Sequence, residues 1–171
     1  MNHNLKYGLY LGFISVAFSA ALFAIDYRLT QETFLSLVPT IITVAILIIA
    51  GRDLRTQQDG YLSFREAFLS SFVIYMIGAA ISTLYLIVQY NIFAPEIAGV
   101  LREEAVNQAA KVLESIGADD QTIDQAVLEA ENTNPFGVSS QLIALGFQAI
   151  LGAIVAAIIG AIVKKDKPEF E

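Results

Sequence analysis

Leu142–Val163, LIALGFQAILGAIVAAIIGAIV, is the stretch that decides the fold. Each of its twelve Leu, Ile, Val and Phe residues favours the centre of a bilayer by about 0.3–0.6 kcal/mol, and Gln148 alone opposes them as a strongly polar residue. A helix of this length is roughly 33 Å long at about 1.5 Å per residue, enough to cross a hydrocarbon core of about 30 Å. Tyr7–Ile25, Leu35–Gly51 and Ala67–Tyr90 read the same way. Pro39 lies near the start of the second run, where a helix best tolerates a missing N–H. The expectation is an all-α membrane protein, a single domain of four transmembrane helices within residues 1–171, with the lipid bilayer as its first partner.

Composition agrees: 56% of the residues are hydrophobic and only 16% are charged, well under the usual quarter. Lys6 ahead of the first run and Ser19-Ala20-Ala21 within it resemble a signal peptide, but the run exceeds the usual length of about 7–15 apolar residues. An uncleaved first span is expected.

Lys and Arg orient the spans. Lys6, Arg52, Arg55, Arg65, Lys164, Lys165 and Lys167 fall on one side, and Arg28, Arg102 and Lys111 on the other. Both termini are therefore expected in the cytoplasm of a bacterium, with the protein in its inner membrane.

The net charge of −7 is concentrated between the third and fourth runs, in Asn91–Gln141. Ile97, Leu101, Ala105, Ala109, Val112 and Ile116 recur at helical spacing, so an amphipathic helix is expected from Pro95 or Glu96 to Gly117. Asp119 or Asp120 then caps a shorter helix carrying Ile123 and Val127, ended by Asn132–Gly137. This predicts an inserted periplasmic helical hairpin over residues 91–141, too small to be an independent domain. Glu103, Glu104, Asp119, Asp120 and Asp124 are candidate partner contacts. Their sign argues against a basic, lipid-binding surface helix and against nucleic acid as a partner, and their spacing lacks a calcium-loop pattern.

The chain has no Cys and one His, His3, which excludes thiolate sites, a histidine metal cluster and a Ser-His-Asp triad within one chain. No catalytic residue, cofactor site or metal site is expected. In the loop Arg52–Arg65, Asp59-Gly60 reads as a turn and Ser63-x-x-Glu66 as a capping box for the third span. The spans contain no Asp, Glu, Lys, Arg or His unless Asp26 dips in, which weakens a transporter reading. Packing signals are stronger: Gln148, Gly152, Ala156 and Gly160 follow at spacing four, as do Gly8 and Gly12 with Ser15 and Ser19 beyond them. These two seams are expected to face each other antiparallel, closing the bundle between first and last spans, with Gln148 bonded to a backbone or hydroxyl group. The same stripe would also suit a homo-oligomer contact.

Lys6-Tyr7-Gly8, the Gly60–Phe68 segment GYLSFREAF, Tyr90–Glu96 and Asn134-Pro135 together resemble domain of unknown function 4199 over nearly the whole chain. The resemblance implies a small four-span bacterial inner-membrane protein and supplies no catalytic residues. The expected function is a non-enzymatic accessory or scaffold subunit whose acidic hairpin meets a membrane or periplasmic protein. The alternative is a small transporter or channel-like protein.

Overall fold

A computed structural model describes residues 2–167, the side chains of Gln31, Thr33 and Glu131 excepted. The elements are α1 (His3–Ile25), a 3-10 turn (Tyr27–Gln31), α2 (Thr33–Gln57), α3 (Phe64–Val88) with a π-helical continuation (Gln89–Phe93), α4 (Pro95–Ser115), α5 (Asp120–Asn132) and α6 (Val138–Val163). Four of them, α1, α2, α3 with its continuation, and α6, are long and apolar enough to cross a membrane. Their apolar residues surround the helix axis, as helices solvated by lipid require. Ile25, Phe34, Ile41, Leu84 and Phe147 are accordingly exposed.

Helix ends are set by short polar residues. Asn2 Oδ1 accepts from the Asn4 N–H at 3.1 Å and opens α1, which places His3 in its first turn. The Asp26 carboxylate accepts from the Arg28 N–H at 2.9 Å and starts the 3-10 turn. Helix α2 begins before the apolar run and continues past it through Arg52, Asp53 and Arg55, because hydropathy marks what lipid tolerates and not where hydrogen bonding stops. Pro39 consequently lies inside the helix, not in its first turn. The Pro39 carbonyl accepts from Thr43 Oγ1 at 2.8 Å, the i−4 back-bond by which a hydroxyl is satisfied within an apolar helix.

The chain divides into two compact units, residues up to Leu84 together with those from Ala144 onward, and Tyr85–Ile143 between them. In the first, glycines set the helix neighbours. A Cβ on Gly8 would stand 2.6 Å from Ile77 Cβ, one on Gly12 2.6 Å from Ile81 Cδ1, and one on Gly78 2.8 Å from Leu11, so α1 and α3 approach closely. On α6, a Cβ on Gly152 would meet the Tyr75 ring at 2.4 Å and one on Gly160 the Phe68 backbone at 3.2 Å. Gly51 of α2 lies against Val163 of α6. Each glycine stripe therefore receives α3, and the two do not close on one another as the spacing suggested. The physical reason is complementarity: a groove of small residues is filled by bulky Ile, Tyr and Phe, whereas two facing grooves leave a void. Ala156, fully buried, lies between Gly152 and Gly160, and Leu11, Leu47, Ala50, Leu62, Ala67, Ile74, Ile159 and Val163 form the core. Among the described residues no hydrogen bond reaches the Gln148 side chain, so the expected polar anchor there is not formed.

In the second unit α4 packs on α5. Gly117, at φ +77°, ends α4, and the Ala118 N–H bonds the Leu113 carbonyl at 3.0 Å across the turn. Asp119 holds the N-cap position of α5, but its carboxylate accepts from the Thr122 hydroxyl in place of a backbone N–H. Leu101 is buried, and Val106, Ala110 and Leu113 are half-buried on α4, as are Ile123, Ala126 and Val127 on α5. The expected stripe is thus only partly used: Ala105 and Ala109 are exposed, Val112 is 54% exposed and Ile116 73%.

Candidate functional site

Polar side chains of the first unit converge where α1 begins, α2 ends, α3 begins and α6 ends. Tyr7 Oη donates to Asp53 Oδ2 at 3.1 Å, Gln57 Nε2 donates to the same oxygen at 3.1 Å, and His3 Nδ1 lies 3.5 Å from it. One carboxylate oxygen thus ties two turns of α1 to the last turn of α2. The His3 side chain is 11% exposed, packs tilted against the Tyr7 ring with centroids 4.9 Å apart, and keeps a buried Nε2 with no partner among the described residues. Sequence reasoning missed this group because the apolar run begins only at Tyr7; the available signal was Asn2, a helix cap one residue before His3.

Other bonds link the remaining ends. Ser70 Oγ donates to Asn4 Oδ1 at 2.7 Å, joining α3 to α1, and Arg55 Nη1 donates to the Val163 carbonyl at 3.4 Å, joining α2 to α6. After α2, Asp59 (φ +56°) and Gly60 (φ +87°) reverse the chain, with the Tyr61 N–H on the Gln58 carbonyl at 3.1 Å. Leu62 then exchanges backbone bonds with Lys165, 2.9 Å one way and 2.8 Å the other, so the segment after α6 is fastened to the α2–α3 loop. Ser63 Oγ accepts from the Glu66 N–H at 3.3 Å, and Glu66 Oε2 accepts from the Ser63 N–H at 3.2 Å and from its hydroxyl at 2.6 Å. Two of the donors left open at the start of α3, the Ser63 and Glu66 N–H groups, are occupied in this way. Beside this strap lies a concavity of about 350 Å³ lined by Gln58, Asp59, Tyr61, Ser63, Glu66, Lys165 and Lys167, with Leu62 and Asp166 completing the wall.

The second unit has its own closure. Asn91 Nδ2 donates to the Ile87 carbonyl at 2.9 Å and to the Phe136 carbonyl at 2.8 Å, while the buried Tyr90 ring lies 4.5 Å from that of Phe136. Asn134 Oδ1 caps the Phe136 N–H at 3.1 Å. The Tyr90-Asn91 and Asn134-Pro135 segments, far apart in sequence, therefore form one joint.

These segments fall within residues 6–165, which match the model of the family described as Protein of unknown function (DUF4199). The chain belongs to this family. No curated protein and no solved structure matches it. The family and the four apolar helices make this a membrane protein of uncharacterised activity. Gly8, Gly12, Gly152, Ala156 and Gly160 lie in helix contacts, and Ser63 and Glu66 in the opening turn of α3. Glu103, Glu104, Asp119, Asp120 and Asp124 all lie on exposed positions of α4, α5 and the turn between them. Among the described residues no three His, Asp or Glu side chains are grouped to hold a metal ion.

Proposed function

We propose that this DUF4199 protein is a non-enzymatic accessory or scaffold subunit of a bacterial inner membrane, with both termini cytoplasmic and α4 and α5 in the periplasm. The observation that carries the reading is the open stripe Ala105, Ala109, Val112 and Ile116 on α4, accompanied by exposed acids. An apolar stripe of this size outside the hydrocarbon gains roughly 25 cal/mol per Å² when a partner covers it. The acids select by charge: a basic partner is steered in, and an acidic one is kept away. The glycine contacts of α1 and α6 give the support a single arrangement.

The test is affinity purification of the tagged full chain in mild detergent, with and without V112E/I116E. A stoichiometric partner lost from the double variant supports the reading. A second copy of the chain on the same stripe would replace the hetero-partner by a homo-oligomer. Recovery of the protein alone at every expression level would refute both.

A further inference from the structure

The concavity beside Leu62 and Lys165 is lined by side chains of both charges at the ends of three apolar helices. Its walls are fixed by backbone: the Leu62–Lys165 pair on one side, the turn at Asp59 and Gly60 on another, and the first turn of α3 on the third. Leu62, which is 1% exposed, anchors the floor. The site lies where the apolar parts of α2, α3 and α6 stop, which is the depth of phospholipid headgroups at the edge of the hydrocarbon. On the spans that end beside it, Phe64 and Leu69 of α3 and Ile158 and Ile162 of α6 are exposed, as side chains that meet acyl chains are.

The lining carries both signs. Lys165 and Lys167 face Asp59, Glu66 and Asp166 around one space, and Lys165 Nζ stands 5.6 Å above the Tyr61 ring. Asp166 is paired with Lys164 at 3.8 Å, and Glu66 Oε2 is taken by Ser63. A purely anionic headgroup would meet the two lysines but also the carboxylates of Asp59 and Glu66 in the same lining. A headgroup with a phosphate and an ammonium separated by two carbons answers both. We propose that this concavity binds an aminophospholipid headgroup, its phosphate on Lys165, Lys167 and the Gln58 amide and its ammonium on Asp59 and the outer oxygen of Glu66. At about 350 Å³ the space lies at the small end of ligand pockets, as suits a headgroup whose chains remain in the bilayer.

The test uses the full chain in detergent, titrated with dihexanoyl-phosphatidylethanolamine, dihexanoyl-phosphatidylglycerol, free phosphoethanolamine and inorganic phosphate, with binding read by native mass spectrometry. The expected order is phosphatidylethanolamine first, phosphoethanolamine weaker, and inorganic phosphate weakest. K165Q/K167Q removes both charged contacts to the phosphate and should weaken phosphatidylethanolamine by at least about tenfold. D59N keeps a residue type that tolerates positive φ, so it preserves the turn and should shift preference toward phosphatidylglycerol. K111Q, on α4, serves as the control and should change nothing. Equal retention of the two lipids, or no change in either lysine or Asp59 variant, would overturn the site. Tighter binding of free phosphoethanolamine or phosphate than of either lipid would overturn the assignment to a membrane lipid.

Discussion

Gly12 of α1 and Ile81 of α3 fit so closely that a Cβ on the glycine would stand 2.6 Å from Ile81 Cδ1 and 2.8 Å from Ile81 Cβ. The second distance decides the consequence, because Cβ cannot swing away without moving the α3 backbone. G12A should destabilise the protein by about 1–3 kcal/mol, the range for overpacking a filled contact. G146A, on a face of α6 with nothing within 4 Å, should be neutral or slightly stabilising. Equilibrium unfolding in mixed SDS micelles measures both. Adding I81A to G12A should recover part of the loss, which a general helix-propensity effect would not.

Asp53 Oδ2 accepts from Tyr7 and from Gln57. Y7F removes one donor and leaves the other, so it should cost about 0.5–1.5 kcal/mol. D53A removes the shared acceptor and should cost more. In a double-mutant cycle the Y7F and D53A effects should fall short of adding, since the Tyr7 bond can be lost only once. Strict additivity would mean that the hydroxyl–carboxylate contact contributes nothing to the joint between α1 and α2.

How far the fold was legible follows from what each signal encodes. Leu142–Val163 announces a span because lipid solvation depends on composition and length, which the sequence contains directly. Gly152 and Gly160 announce a contact face for a similar reason, but spacing defines a face and not its neighbour. That α3 would fill both grooves depended on Ile77, Ile81, Tyr75 and Phe68, bulky residues indistinguishable in sequence from lipid-facing ones. The α4 face was misjudged because the helix has two apolar stripes, and α5 takes the one through Val106, Ala110 and Leu113. His3 was hidden by the charge and hydropathy boundary at Lys6 and Tyr7. The concavity beside Lys165 could not be read at all, since it requires residues 58–66 and 165–167 to meet through a backbone pair.

The Ser63–Glu66 exchange of bonds offers a local test. S63A removes the acceptor for the Glu66 N–H and should cost about 0.5–2 kcal/mol, the usual range for a lost N-cap. S63T and S63D, which keep an acceptor at that place, should retain most of the stability. The effect belongs to the first turn of α3, so amide exchange should accelerate at Arg65–Ala67 before it does at Ile74. A uniform change along α3 would point to loss of the Leu62–Lys165 strap instead.

Gly99 occupies the interior of α4, where a Cβ added to it would meet nothing within 4 Å, and its backbone is helical. Glycine there carries an entropic penalty that no contact requires. G99A should stabilise α4 by about 0.5–1 kcal/mol and raise amide protection across Ala98–Arg102. A loss of stability would mean that another chain approaches Gly99, which would locate part of a partner's footprint on α4.

Sidedness rests on seven Lys and Arg against three, and a chain without Cys can be tested one position at a time. D120C places a thiol at the start of α5, and Q58C places one after α2, both on sites with solvent access. An impermeant maleimide added to intact cells should label D120C and leave Q58C unreacted, with Q58C becoming reactive once the membrane is opened. The reverse pattern would put the Lys165 concavity outside and α4 and α5 in the cytoplasm. The partner of the α4 stripe would then be sought among cytoplasmic proteins, and the headgroup would come from the outer leaflet. Labelling of both thiols in intact cells would contradict an odd number of membrane crossings between Gln58 and Asp120, leaving α3 unable to serve as a single span.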